Sequence, residues 1–137
     1  HMPILTVSYS KLLTQRLESK EGKNLSINNN ISIKDIIKSD INLGEAKQPG
    51  LRFTFEFSSK YEPKYAEIII TGDVIYYSTQ ARVDEVLKEW KKDKTAPKDI
   101  SAEVINHLLS RCNIQALLLS REMGLPSPIP LPKVSAK

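Results

Sequence analysis

The sequence predicts an α+β domain in which antiparallel strands come first and two helices follow. Three runs of residues point to it. Leu51, Phe53, Phe55 and Phe57 alternate with Arg52, Thr54, Glu56 and Ser58, the period of a strand with one apolar and one polar face. Ala66, Ile68, Ile70, Val74 and Tyr76 continue the alternation in the next segment. After Thr79 the period changes. Val83, Val86, Leu87 and Trp90 follow at i, i+3, i+4 and i+7 spacing, which places them on one stripe of an amphipathic helix.

The chain reads as a single domain over residues 3–137, a length at which one core can form without staples. His1-Met2 reads as a cloning remnant and is left aside. Residues 3–22 carry two patterns. Leu5, Val7 and Tyr9 alternate like a strand, whereas Leu12, Leu13 and Leu17 suit a helix; an extended start is the expectation. Strands are expected within 25–77. Leu25, Ile27, Ile31 and Ile33 share one parity, and Asn29 interrupts it, so Asn28 to Asn30 is either a bulge or a turn between two short strands. Asp40 to Gly50, with Gly44, Pro49 and Gly50, reads as a loop. Lys60 to Lys64 reads as a hairpin connection, and Gly72-Asp73 as a bend or bulge in the strand that follows.

The first helix is expected over 79–94, capped by Ser78 or Thr79. The second is expected over 101–123, with Ser101 as its cap and Ile100 and Ile105 as a hydrophobic staple. Ile105, Leu108, Leu109, Cys112, Ala116, Leu119 and Met123 form its apolar face, and Ile114, Leu117 and Leu118 widen that face until it nearly encircles the helix. One layer of sheet in a small domain covers such a helix poorly, so burial between subunits is expected, with Leu108, Ile114, Leu117 and Leu118 at the contact. Gly124 ends the helix. The tail, 124–137, alternates prolines with apolar residues. Proline fixes φ and removes donors, so an extended, stiff segment packed against another surface is expected.

Charge and motifs exclude several function classes. The net charge is +4. The densest lysine cluster, Lys88, Lys91, Lys92 and Lys94, is interleaved with Asp84, Glu85, Glu89 and Asp93, the pattern of a solvated helix face rather than a phosphate-binding stripe. His107 and Cys112 stand five apart and do not adjoin on a helix, so no metal centre is expected. No glycine-rich phosphate loop, nucleophile elbow or carboxylate pair in an apolar setting occurs. Catalysis and cofactors are therefore not expected. A single cysteine fits a reducing compartment, and no run is long and apolar enough to span a bilayer, so a cytoplasmic protein without membrane insertion is expected.

The segment Gly124-Leu125-Pro126-Ser127-Pro128-Ile129-Pro130-Leu131-Pro132-Lys133-Val134, directly after the long helix, resembles the end of SecB-type chaperones, where a helix runs into a glycine and then a Pro-Leu-Asn-Leu-Pro-Pro-Val stretch. Pro128, Ile129, Leu131, Pro132 and Val134 match that stretch by position; Pro130 stands where the family has Asn, and Lys133 where it has Pro. The firm match runs from Ser101 to Val134, and the order of strands and helices extends it loosely. The resemblance implies a four-stranded antiparallel sheet with two helices, assembled as a dimer of dimers. It also implies an ATP-independent holdase that keeps unfolded client chains in apolar grooves, serving an export motor in bacteria or, in some relatives, guarding an antitoxin. This chain departs from the family in being basic where SecB-type chaperones are generally acidic. A general holdase, or one dedicated to a single partner, therefore fits better than docking on a motor.

The residues expected to bind clients are Val83, Val86, Leu87 and Trp90 on the first helix and Leu125, Ile129, Leu131 and Val134 on the tail. A second reading is a nucleic-acid or ribosome-associated binder, because Tyr61, Tyr65, Tyr76 and Tyr77 lie near Arg52, Lys60 and Lys64 in sequence, and rings beside cations can stack bases.

Overall fold

Residues 5–18 and 24–129 are described by a computed structural model. The elements run β1 (Leu5–Arg16), β2 (Ser26–Lys38), β3 (Ile41–Leu43), β4 (Ala46–Gln48), β5 (Gly50–Glu62), β6 (Ala66–Tyr77), α1 (Gln80–Asp93) and α2 (Lys98–Glu122). The architecture is α+β. β1, β6, β5 and β2 form a four-stranded sheet in that order, with every neighbouring pair antiparallel. The long β5–β6 hairpin is the centre, and β1 and β2 flank it on opposite sides. The fourth strand is thus the N-terminal segment, outside the 25–77 span expected to hold the strands.

The alternation in β5 sorts its residues by face. Leu51, Phe53, Phe55, Phe57 and Tyr61 are fully buried, as are Ile68, Ile70 and Val74 of β6. Phe53 meets Tyr76 edge to face, with ring centroids 6.1 Å apart. Tyr61 therefore belongs to the buried face of β5, not to a connecting turn. The phenols of Tyr61 and Tyr76 are pushed up to about 12, in both cases chiefly by burial. The folded state thus holds these protons more tightly than the unfolded chain does. The associated stability is complete below the ordinary tyrosine range near pH 10 and is lost as pH rises toward 12.

Two bulges explain the segments whose alternation breaks. In β1 the register slips between Tyr9 and Lys11, so Ser10 is the extra residue. Tyr9 pairs with Gly72, and a Cβ built on Gly72 would come within 2.2 Å of the Ser8 carbonyl oxygen. The irregularity expected at Gly72-Asp73 is thus carried by the opposite strand, and Gly72 is the residue that lets the bulged backbone close in. In β2 the slip falls between Ile33 and Asp35, not at Asn28 to Asn30. Lys34 is the extra residue, and Ile36 turns back to the core face, where it is buried.

Asp40 to Gly50 is not a plain loop: β3 and β4 pair as a short hairpin. Asp40 holds its base, accepting from the Gly50 amide at 3.2 Å and meeting Lys47 at 3.1 Å and Lys38 at 3.4 Å.

Both helices lie on the same face of the sheet, α1 over β2 and β5 and α2 over β6 and β1. Thr79 caps α1, its Oγ1 accepting from the Arg82 amide at 3.2 Å. Arg82 bonds Glu85 at 2.9 Å and reaches Asp99 in the first turn of α2. α2 begins at Lys98 after Pro97, three residues before the expected Ser101 cap. Proline already has helical φ and no amide to leave unbonded, so it opens the helix without a side-chain cap. Ile100 is then a buried first-turn residue rather than one half of a staple. The buried row of α2 is Ile100, Val104, Leu108, Cys112, Ala116 and Ser120, one i, i+4 ridge. Ile105, Leu109, Leu119 and Met123 flank it, partly buried. Gly124, at φ 65°, ends the helix in the left-handed region that favours glycine, and the Leu125 amide bonds back to the Ser120 carbonyl at 2.8 Å.

Candidate functional site

The candidate site is built on the core-side face of β2, an outer strand of the four-stranded sheet. Register puts Ile27, Asn29, Ile31, Ile33 and Ile36 of β2 opposite Tyr61, Ser59, Phe57, Phe55 and Phe53 of β5. The β5 residues are all fully buried, but Ile27, Ile31 and Ile33 are only partly covered. α1 and the α1–α2 turn close one end of this lane, and the start of the tail closes the other.

At the helix end lies a groove of about 390 Å³, lined by Ile33, Ile36, Trp90, Lys94, Thr95, Ala96, Lys98 and Ser101. Trp90 ends the apolar stripe of α1 and is partly exposed. Its indole Nε1 donates to Asp35 Oδ1 at 3.3 Å, and the Lys94 ammonium lies 5.5 Å from its ring centroid. Lys94 terminates α1 in the left-handed conformation, at φ 58°, which turns the chain toward Ala96 and the groove.

At the other end the tail is tied down by side chains. The Tyr61 hydroxyl donates to the Pro126 carbonyl at 2.5 Å, and Asn29 Nδ2 donates to the Pro128 carbonyl at 2.9 Å. Ser59 Oγ donates to Asn29 Oδ1 at 2.6 Å, fixing the amide that holds the tail. The polar break at Asn29 therefore pairs with the one polar residue of the buried β5 face. Leu125 and Pro128 are buried. Replacing Tyr61 with Phe is expected to reduce stability by about 1–2 kcal/mol at neutral pH, because the Pro126 carbonyl is left unpaired. The same variant should narrow the loss of stability between pH 10 and 12, the upper bound being where the Tyr61 phenol is placed. Urea unfolding of both chains at pH 7, 10 and 11 checks it; identical pH profiles would contradict it.

The structure separates the expected binding residues. Val83 and Val86 are fully buried in the chain's own core and pack α1 onto the sheet, so they do not line a groove. Leu125 is also buried and anchors the tail. Leu87, Trp90 and Ile129 are partly exposed. Leu131 and Val134 lie outside the described residues. Of the expected oligomer residues, Leu108 is fully buried beneath α2, whereas Ile114 is 61% and Leu118 50% exposed, and Leu117 is partly buried. Leu12 of β1, 44% exposed, lies on the same side of the sheet. Tyr9 meets the Arg111 carbonyl and Arg16 the Met123 carbonyl. Leu12 thus falls between two points where β1 meets α2, along the stretch that carries Ile114 and Leu118.

The tyrosine and cation cluster is not assembled. Tyr61 and Tyr76 point into the core, while Arg52 and Lys60 occupy the opposite face of β5. The Cys112 thiol is pushed up to about 11 by burial, which leaves it protonated and unreactive at neutral pH. Among the described residues no three His, Cys, Asp or Glu side chains are grouped to hold a metal ion, and no helix is long and apolar enough to cross a membrane. Ile36, Asn29 and Tyr61 are the site residues that sequence reasoning missed. The matching polar positions Asn29 and Ser59, each breaking an apolar face, were the available signal for two of the three groups involved in the latch.

No family model and no curated protein sequence matches the chain. Among solved structures it is similar to the SecB-like chaperone Rv1957 of Mycobacterium tuberculosis in complex with a ChAD peptide from the Rv1956 HigA1 antitoxin, with a TM-score of 0.50 and 10% identity over 98% of this chain and 91% of that one. The fold is SecB-like. Within this SecB-like fold, the groove at Trp90 and the latched tail occupy the same sheet face, and the exposed apolar residues of α2 lie toward the other flank.

Proposed function

We propose that this protein is an ATP-independent holdase that binds non-native polypeptide segments along the β2 face. The observation that carries this reading is the groove itself. An aromatic and aliphatic surface formed by Trp90, Ile33 and Ala96 over the buried Ile36 is open to solvent beside a strand whose other isoleucines are only partly covered. Unfolded clients expose apolar side chains, and burying them in such a surface contributes roughly 25 cal/mol per Å² without demanding a particular sequence. The SecB-like fold supports the reading, as does the peptide bound by the Mycobacterium protein. Leu87, Trp90 and Ile129 are the expected residues that remain accessible enough to take part. The protein works as a homo-oligomer, a dimer or dimer of dimers, through Ile114, Leu117 and Leu118. The single buried thiol suits the cytoplasm.

Light scattering of a chemically unfolded test enzyme, diluted into buffer without nucleotide, tests the reading. Material of measured oligomeric mass is expected to suppress aggregation, and Trp90→Ala to weaken client affinity by about tenfold. Aggregation that proceeds unchanged in the presence of the protein would refute the function.

A further inference from the structure

Resting on that reading, we infer that the groove selects client segments in which a large apolar side chain is flanked by acidic residues. The lining carries two cations, Lys94 and Lys98, and no carboxylate. Among the described residues neither lysine forms an ion pair. The nearby carboxylates have other partners. Asp35 accepts from the Trp90 indole at 3.3 Å and the Ile36 amide at 2.9 Å, Glu89 accepts from the Thr95 hydroxyl at 3.1 Å, and Asp99 is held by Arg82. An apolar floor whose lining carries two lysines outside any ion pair is complementary to a chain segment carrying Asp or Glu beside Leu or Phe. A Lys- or Arg-flanked segment would meet like charge. Lys94 lies over the ring of Trp90, so a client side chain that reaches the indole brings its flanking carboxylate within range of that ammonium.

The chain has one tryptophan, Trp90, so intrinsic tryptophan emission reports on the surroundings of this groove. Three synthetic peptides with one Leu-Phe-Leu core, flanked on each side by two Asp, two Ser or two Lys, are titrated against the full chain while emission is recorded. At low salt the Asp-flanked peptide is expected to bind about tenfold more tightly than the Lys-flanked one. In about 1 M salt, where the screening length falls to roughly 3 Å, the difference should shrink to less than about twofold. Lys94→Asn with Lys98→Gln should reduce the difference between the Asp- and Lys-flanked peptides to less than about twofold at low salt, with the urea unfolding midpoint of the variant showing that it is folded. Asparagine is chosen because it tolerates the left-handed backbone at this position. If the Ser-flanked peptide binds and the charged pair differ by less than twofold at low salt, the charge selection is overturned and the holdase reading stands. If none of the three changes the emission, both are overturned.

Discussion

Gly72→Ala is expected to lower the unfolding free energy by about 3 kcal/mol, the upper end of what overpacking a fitted site produces. The added methyl would meet the Ser8 carbonyl oxygen at 2.2 Å and Tyr9 Cα at 3.0 Å. Both are backbone atoms, so no rotamer change relieves the clash. Relief requires moving β1 away from β6, and β1 also carries Tyr9 and Arg16, the residues that bond α2 at the Arg111 and Met123 carbonyls. The strand and the second half of the long helix should therefore loosen together. Equilibrium unfolding in urea checks it through the midpoint, and thermal unfolding through a drop of roughly 10 °C. A loss below about 1 kcal/mol would show that β1 is not seated against Gly72 as described.

Ile114→Asp combined with Leu118→Asp is expected to convert an assembled protein into monomers while leaving each chain folded. Both positions are at least half exposed in the single chain, at 61% and 50%, so charge there disturbs little inside one copy but places unpaired carboxylates in any apolar contact between copies. Leu108→Ala provides the contrast. Leu108 is fully buried beneath the same helix, so its truncation should reduce stability by about 2–5 kcal/mol per chain without removing the outward surface. Sedimentation of the three proteins at equal concentration, with unfolding midpoints measured in parallel, separates the effects. If the double Asp variant keeps the parental mass, these residues are not at a subunit contact.

The parts of the fold legible in the sequence are those whose period is unbroken. β5 and β6 alternate without a slip over their paired length, and the stripe of α1 runs without interruption from Val83 to Trp90. β1 was harder to read for a physical reason. The extra residue Ser10 shifts the parity, so the core-side residues run Leu5, Val7, Tyr9, Leu12, and a spacing of three mimics a helix turn. Lys34 does the same to β2 and hid Ile36. The site was half legible. Periodicity told which face of α1 is apolar, and so found Trp90. It carries no information on depth along that face, and so could not separate the enclosed Val83 and Val86 from Trp90 at the edge. The start of α2 was missed because Ser101 is a better cap by chemistry than Pro97, yet in the folded chain Pro97 stands at the cap position and Ile100 is buried within the helical first turn.

The latch on the tail has a polarity. Pro126 and Pro128 have no amide hydrogen and meet the sheet through their carbonyls, and the sheet answers with a phenol and a side-chain amide. A strand-like ladder cannot spread from such a seam. Residues 125–129 thus shield part of an otherwise sticky surface without becoming a template for fibre growth. Besides the burial of Leu125 and Pro128, two separable side-chain bonds hold them to the sheet, each worth about 0.5–1.5 kcal/mol net.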